Sequence, residues 1–203
     1  MIPQLVRDQL ALYLPEERIA HSDRVSETAV GMAEHWKMPT DIVQRAGWGH
    51  DIAKALSPKK VLRLDWDGWP QFDSLYDDYP AIWHAFVGPL MIEKCLGWTD
   101  SEFLSCVRWH TTGRAKMSSF EQIIFVADYI EPGRSFDDRD YIQGLAKESL
   151  DLATFAVASR SILSLEKRRG TIHAHTLRCR DYYQSIVGQE DAKDIVRILI
   201  NLS

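Results

Sequence analysis

The chain has 203 residues, 45% of them hydrophobic and 26% charged, with a net charge of -5. That length suits one domain, which buries roughly 70% of its unfolded surface and needs no staple to hold a core. The acidic balance argues against a nucleic-acid binder held by phosphate neutralisation, and no apolar run approaches the roughly 20 residues of a membrane span. Cys95, Cys106 and Cys179 are odd in number and show no CxxC spacing, so reduced, buried thiols are expected rather than a disulfide framework or a cysteine zinc site. Met1-Ile2-Pro3-Gln4 lacks the basic, apolar and small-residue order of a signal peptide, and a cytoplasmic protein is expected.

In chain order, Leu5, Leu10, Leu12 and Leu14 recur at helical spacing over residues 4–14. Pro15, Glu16 and Glu17 open a helix to about Trp36, with Ile19, Val25, Ala29, Met32 and Ala33 as its apolar stripe and His21 beside it. Pro39-Thr40-Asp41 starts the helix expected to carry His50 and Asp51. Small residues there, Ala46, Gly47, Gly49 and Ala53, allow neighbouring helices to come close. Ser57-Pro58 begins a short helix to about Leu64, and residues 65–80 read as irregular. Their acids and aromatics fit a pocket lid or a solvated loop equally.

A helix from Ala81 to about Leu96 holds His84 in its first turns and Pro89 inside, with a kink expected there. Thr99 or Asp100 caps the next helix, which ends at Arg108-Trp109-His110 before a loop, Thr111-Thr112-Gly113-Arg114. Ser118 and Glu121 have capping-box spacing, so the run Ile123 to Ile130, stopped by Pro132-Gly133, reads as a buried helix rather than a strand. Residues 138–168 form one long helical pattern, and two more helices are expected at about 174–187 and 190–202, with His173 and His175 in the loop before them. The whole reads as one all-α domain over 1–203, with a core of about 15–180 and a helical extension at about 190–203.

Six polar residues sit badly in an apolar interior: His21, His50, Asp51, His84, His110 and Asp128. Four imidazoles and two carboxylates suffice for two divalent ions if one carboxylate is shared, and this donor set suits iron, manganese, zinc or cobalt better than calcium. Asp128 follows Ile-Ile-Phe-Val-Ala, where an unpaired carboxylate costs several kcal/mol unless a cation compensates. A metal is one such cation; Arg114 or Lys54 is the alternative. Lys54, Thr111, Thr112, Arg114 and Arg134 cluster in sequence around these residues, and metals with cations suit a phosphate ester or anhydride.

The pattern His21, His50-Asp51, Asp128 resembles the HD-domain superfamily of metal-dependent phosphohydrolases. Ile82-Trp83-His84-Ala85 with Val87-Gly88, His50-Asp51-Ile52-Ala53-Lys54, and the block from His110 to Arg134 resemble the YqeK-like branch of symmetrical bis(5'-nucleosyl)-tetraphosphatases more closely. The resemblance covers roughly residues 15–180. Gln122 stands where that branch is expected to have lysine, and residues 190–203 have no counterpart.

The resemblance implies an HD-domain helical bundle with a dinuclear centre between helices. It implies two divalent metals, iron first, with manganese, cobalt or magnesium as alternatives. It implies that His21, His50, Asp51 and Asp128 hold one metal and that Asp51 is shared with a second held by His84 and His110. Diadenosine tetraphosphate is then split to two ADP by a hydroxide activated between the metals. Asp51, Lys54, Arg114 and Arg134 act in catalysis; Lys54, Thr111, Thr112, Arg114 and Arg134 bind phosphate oxygens. The adenosines are placed on aromatics around Trp66, Trp69 and Tyr79, by residue type. The expected partner is a small nucleotide, with no nucleic acid and no membrane, and a homodimer is left open. Three other readings stay open: an HD phosphohydrolase of deoxynucleotides, cyclic dinucleotides or alarmones; an oxygen-activating di-iron centre; and a non-catalytic nucleotide sensor.

Overall fold

The short polar signals written into the sequence start the helices that carry the site. In the computed structural model, which describes residues 1–61 and 73–202, Ser118 accepts the Glu121 amide while Glu121 returns a bond to the Ser118 amide, and α8 (Ser119–Ile130) follows. Asp100 accepts the Phe103 amide at 2.9 Å and opens α7 (Ser101–Trp109). Each cap satisfies amides that the first helical turn leaves without partners. Twelve helices and no strand occur among the described residues. None is long and apolar enough to cross a membrane.

Helix α8 is the centre of the bundle. Ile123, Ile124, Phe125, Val126 and Ala127 are all buried, because α2 (Glu16–His35), α3 (Asp41–Gly49), α7, α9 (Arg139–Glu148) and α10 (Leu150–Lys167) surround it. Helix α6 (Trp83–Leu96) packs on α7 and ends at Gly97, whose φ of +67° is the left-handed stop that glycine adopts without strain. Pro89 lies inside α6, as the sequence indicates. The remaining helices are α1 (Gln4–Ala11), the short α4 (Pro58–Val61) and α5 (Asp73–Asp78), α11 (Ala174–Val187) and α12 (Gln189–Asn201).

Four expectations change. His50 and Asp51 lie just beyond α3, not within it: α3 ends at Gly49 and His50 is its C-terminal cap. The long helix expected over 138–168 is two helices. Ser149 is extended (φ -157°, ψ 131°) and its hydroxyl accepts from the Asp151 and Leu152 amides, which restarts the chain as α10. Part of the irregular stretch is helical, as α5. His175 lies in the first turn of α11, with His173 as its cap. Leu64, Trp66 and Trp69 lie outside the described residues. The C-terminal α12 packs on α10 and α11 through buried Ala192, Ile195 and Leu199.

Candidate metal centre

Two histidines are prepared by the same local device. His50 follows α3 and its Nδ1–H donates to the Gly47 carbonyl at 2.8 Å; His110 follows α7 and its Nδ1–H donates to the Val107 carbonyl at 2.7 Å. Carbonyls of the last helical turn have no intrahelical partner, so the ring three residues on satisfies one of them. A carbonyl only accepts, which puts the proton on Nδ1 and leaves the Nε2 lone pair directed elsewhere. His21, on α2, reaches the same state through Glu131, whose Oε1 lies 3.1 Å from its Nδ1.

The free Nε2 atoms converge on Asp51. Its Oδ2 faces His50 Nε2 at 3.7 Å and His21 Nε2 at 3.8 Å, while Oδ1 faces His84 Nε2 at 3.2 Å and His110 Nε2 at 3.6 Å. One carboxylate thus divides its oxygens between two histidine pairs. Asp128 approaches from α8, with Oδ1 3.1 Å from His21 Nε2 and 3.9 Å from His50 Nε2. Three groups have ligand atoms within 4.8 Å of one another: His21, His50 and Asp51; Asp51, His84 and His110; and His50, His110 and Asp128. His21 Nε2 and His50 Nε2 are buried without a hydrogen bond. The Nε2 atoms of His84 and His110 stand 3.1 Å apart, where a cation relieves the crowding of ring nitrogens. These orphaned, convergent donors fit divalent cations.

The electrostatics suit the same occupant. Burial holds His50 and His84 neutral and pushes both down to about 4. Burial opposes ionisation of Asp51 and Asp128 as well, yet both carboxyls are held low, Asp51 by His50, His110 and His84, and Asp128 by His21, His50 and Arg134. His21 is raised: burial opposes its charge, but the neighbouring carboxylates of Asp128 and Glu131 outweigh it.

This gives a pH dependence for the metal-free fold. The unfolded chain protonates His50 and His84 near 6.5, the folded chain only near 4, so it is the unfolded state that binds the extra protons as pH falls through that window. The depressed carboxyls act in the same direction at lower pH. His21, being raised, offsets part of the loss. Urea unfolding with a chelator present is expected to lose about 3 kcal/mol of stability between pH 7 and pH 5. A flat profile would mean that these rings are solvated.

The flanking residues divide. Lys54 Nζ lies 3.1 Å from His84 Nε2 and 3.7 Å from Asp51 Oδ1, and Thr111 Oγ1 lies 2.8 Å from His110 Nε2 and 3.1 Å from His84 Nε2. Arg134 grips Asp128 at both its carboxylate (2.5 Å) and its backbone carbonyl (2.9 Å). Among the side-chain cations the partner of Asp128 is therefore Arg134, not Arg114 or Lys54, and Asp128 sits at the rim, with 21% of its side chain exposed. Arg114 instead pairs with buried Glu121 at 2.9 Å and donates to the Ala115 carbonyl. Thr112 is buried and donates to the Gly113 carbonyl.

Two contributors escape sequence reading. Arg18 reaches Asp51 Oδ2 at 3.5 Å, from a helix position that looks like plain surface charge. Glu131 is buried beneath His21 and is held by Arg24 Nε (2.6 Å) and the Gly133 amide (2.6 Å). The one sequence signal for it is a carboxylate immediately before Pro132-Gly133, where the chain leaves a buried helix. Outer carboxylates that orient ligand histidines typically set metal affinity by 10–100-fold. Glu131→Gln is expected to weaken metal binding by about tenfold with the helical content retained, read by chelator competition. Unchanged affinity would make Glu131 a structural ion-pair partner of Arg24 alone.

A family model described as HD domain matches residues 18–133, which include all six converging residues. The chain belongs to the HD domain family. As an HD protein it has relatives along most of its length. It is 36% identical over 172 residues to the symmetrical bis(5'-nucleosyl)-tetraphosphatase of Staphylococcus aureus, covering 84% of this chain and 88% of that one. It is 32% identical to the protein of the same name from Bacillus subtilis, covering 80% and 87%. A crystal structure titled as a "predicted HD superfamily hydrolase involved in NAD metabolism" from Clostridium acetobutylicum superposes with a TM-score of 0.80 at 33% identity, covering 90% of this chain and 96% of that one.

Proposed function

We propose that this HD protein hydrolyses diadenosine tetraphosphate symmetrically to two ADP. The observation that carries it is the division of Asp51 between two histidine pairs, a geometry for two cations against one phosphoanhydride. The relatives named symmetrical tetraphosphatases, similar over four-fifths of this chain, narrow the substrate.

His21, His50, Asp51 and Asp128 are the proposed ligands of one cation, and Asp51, His84 and His110 of the other, with iron as the proposed metal. Such ions supply positive charge to the phosphoryl oxygens and lower the pKa of an attacking water. The chain's own groups do the rest. Lys54, beside His84 and Asp51, brings an ammonium to the phosphate oxygens. Thr111 offers its hydroxyl at the His110 side. Arg134, fixed by Asp128, holds a guanidinium where charge grows on the departing ADP. Asp51 keeps its charge in the cluster because His50, His110, His84 and Lys54 favour its ionised form. Arg114 and Thr112 act one layer back, by holding the turn that presents Thr111. The test is chromatography of the products of diadenosine tetraphosphate after incubation with metal-loaded protein. ADP alone is expected; AMP with ATP would overturn symmetrical cleavage.

A further inference from the structure

A cavity of about 490 Å³ opens beside the centre, and Thr111, Tyr129, Phe136 and Ser161 line both it and the smaller cleft that contains His110, Asp128 and Arg134. The two are therefore neighbouring compartments of one groove. The cleft carries His110, Asp128 and the Arg134 guanidinium. The cavity is different in chemistry: Tyr79, Ile82, Leu165 and His173 join the shared aromatics in its wall. Arg160 and Arg168 also line it; Asp138 holds the first guanidinium at 2.5 Å, and the Ser164 carbonyl accepts from Nε of the second at 3.1 Å. Such a volume, largely apolar with a few polar groups, fits a flat heteroaromatic ring better than a run of phosphates.

We infer that this cavity takes one nucleoside end of the substrate, with Tyr79 against the base and His173 donating to a ring nitrogen. The inference rests on the nucleotide reading above. Its detail comes from His173, the cap of α11. Its Nδ1 accepts the His175 amide at 3.2 Å, so in the neutral ring the proton sits on Nε2. Burial and the charges of Arg108 and Arg178 keep the ring below its ordinary value. His173 is thus a fixed N–H donor, and adenine offers ring-nitrogen acceptors. Tyr79 stands edge to face with it, ring centres 4.8 Å apart, and joins a second aromatic surface to the same wall.

The test uses the metal-loaded full chain and two probes, ADP and inorganic tripolyphosphate, by titration calorimetry. His173→Ser keeps a capping hydroxyl and removes the ring; Tyr79→Leu keeps bulk and removes the aromatic face. Each is expected to weaken ADP binding about tenfold, leaving tripolyphosphate unchanged. Equal loss of both probes would put these residues with the phosphates and overturn the base site, as would unchanged ADP binding. The nucleotide reading fails separately: selective ADP loss in a protein that does not cleave diadenosine tetraphosphate leaves the subsite standing for another nucleotide.

Discussion

Asp51→Asn is expected to lower diadenosine tetraphosphate turnover by about three orders of magnitude and to empty the centre of bound metal. Both carboxylate oxygens are committed, one to His21 and His50, the other to His84 and His110. An amide retains one weakly ligating oxygen and turns an N–H donor towards the other pair, so one substitution damages both positions. It also leaves Arg18, 3.5 Å from Oδ2, and Lys54 without their anion. Elemental analysis of the purified variant, steady-state turnover and the metal-induced rise in melting temperature check the three consequences together. Full metal content with parental turnover would remove Asp51 from the centre.

Gly47→Ala should destabilise the fold by about 2 kcal/mol and loosen the site as well. A Cβ at Gly47 would lie 2.4 Å from the Ser26 Cα and 2.7 Å from its nitrogen. Those are backbone atoms, so α2 and α3 must separate. Alanine returns part of the cost through its better helix propensity. Separation would carry His21, on α2, away from His50, whose ring is held by the Gly47 carbonyl itself. Gly31→Ala, on α2 with nothing within 4 Å of the added carbon, is the control and should be neutral or slightly stabilising. Urea midpoints and metal stoichiometry of the pair read the outcome. A Gly47→Ala protein as stable as the parent would mean that this crossing yields without cost.

Much of the centre was legible because its chemistry clashes with its setting. Five of the six converging residues are buried, and an imidazole or carboxylate without an apolar role stands out in such helices. Gly47 was legible as a close-approach position for the same reason, since a small residue is wasted on a surface. What sequence could not supply was partner choice. Glu121 read as a capping residue, which it is, but not as the partner of Arg114. Asp128 read as fully buried from its apolar neighbours, although its carboxylate turns to the rim and Arg134. Ser149 looked like any helical serine, because only the conformation of its backbone decides whether a hydroxyl caps a new helix or rides on an old one. Glu131 and Arg18 act through contacts 110 and 33 residues away, beyond the reach of any local pattern.

The capping histidines have a wider consequence. His50 and His110 terminate α3 and α7, and Asp128 lies in the last turn of α8. Three helix macrodipoles therefore bring their negative poles to the centre, each equivalent to roughly half an electron charge. His84 sits in the first turn of α6, the opposite pole. The backbone thus builds a field that draws cations between three helices and tolerates negative charge beside the fourth. Some of the preference for a metal under a polyanion is carried by how the helices point, and survives substitution of any single side chain.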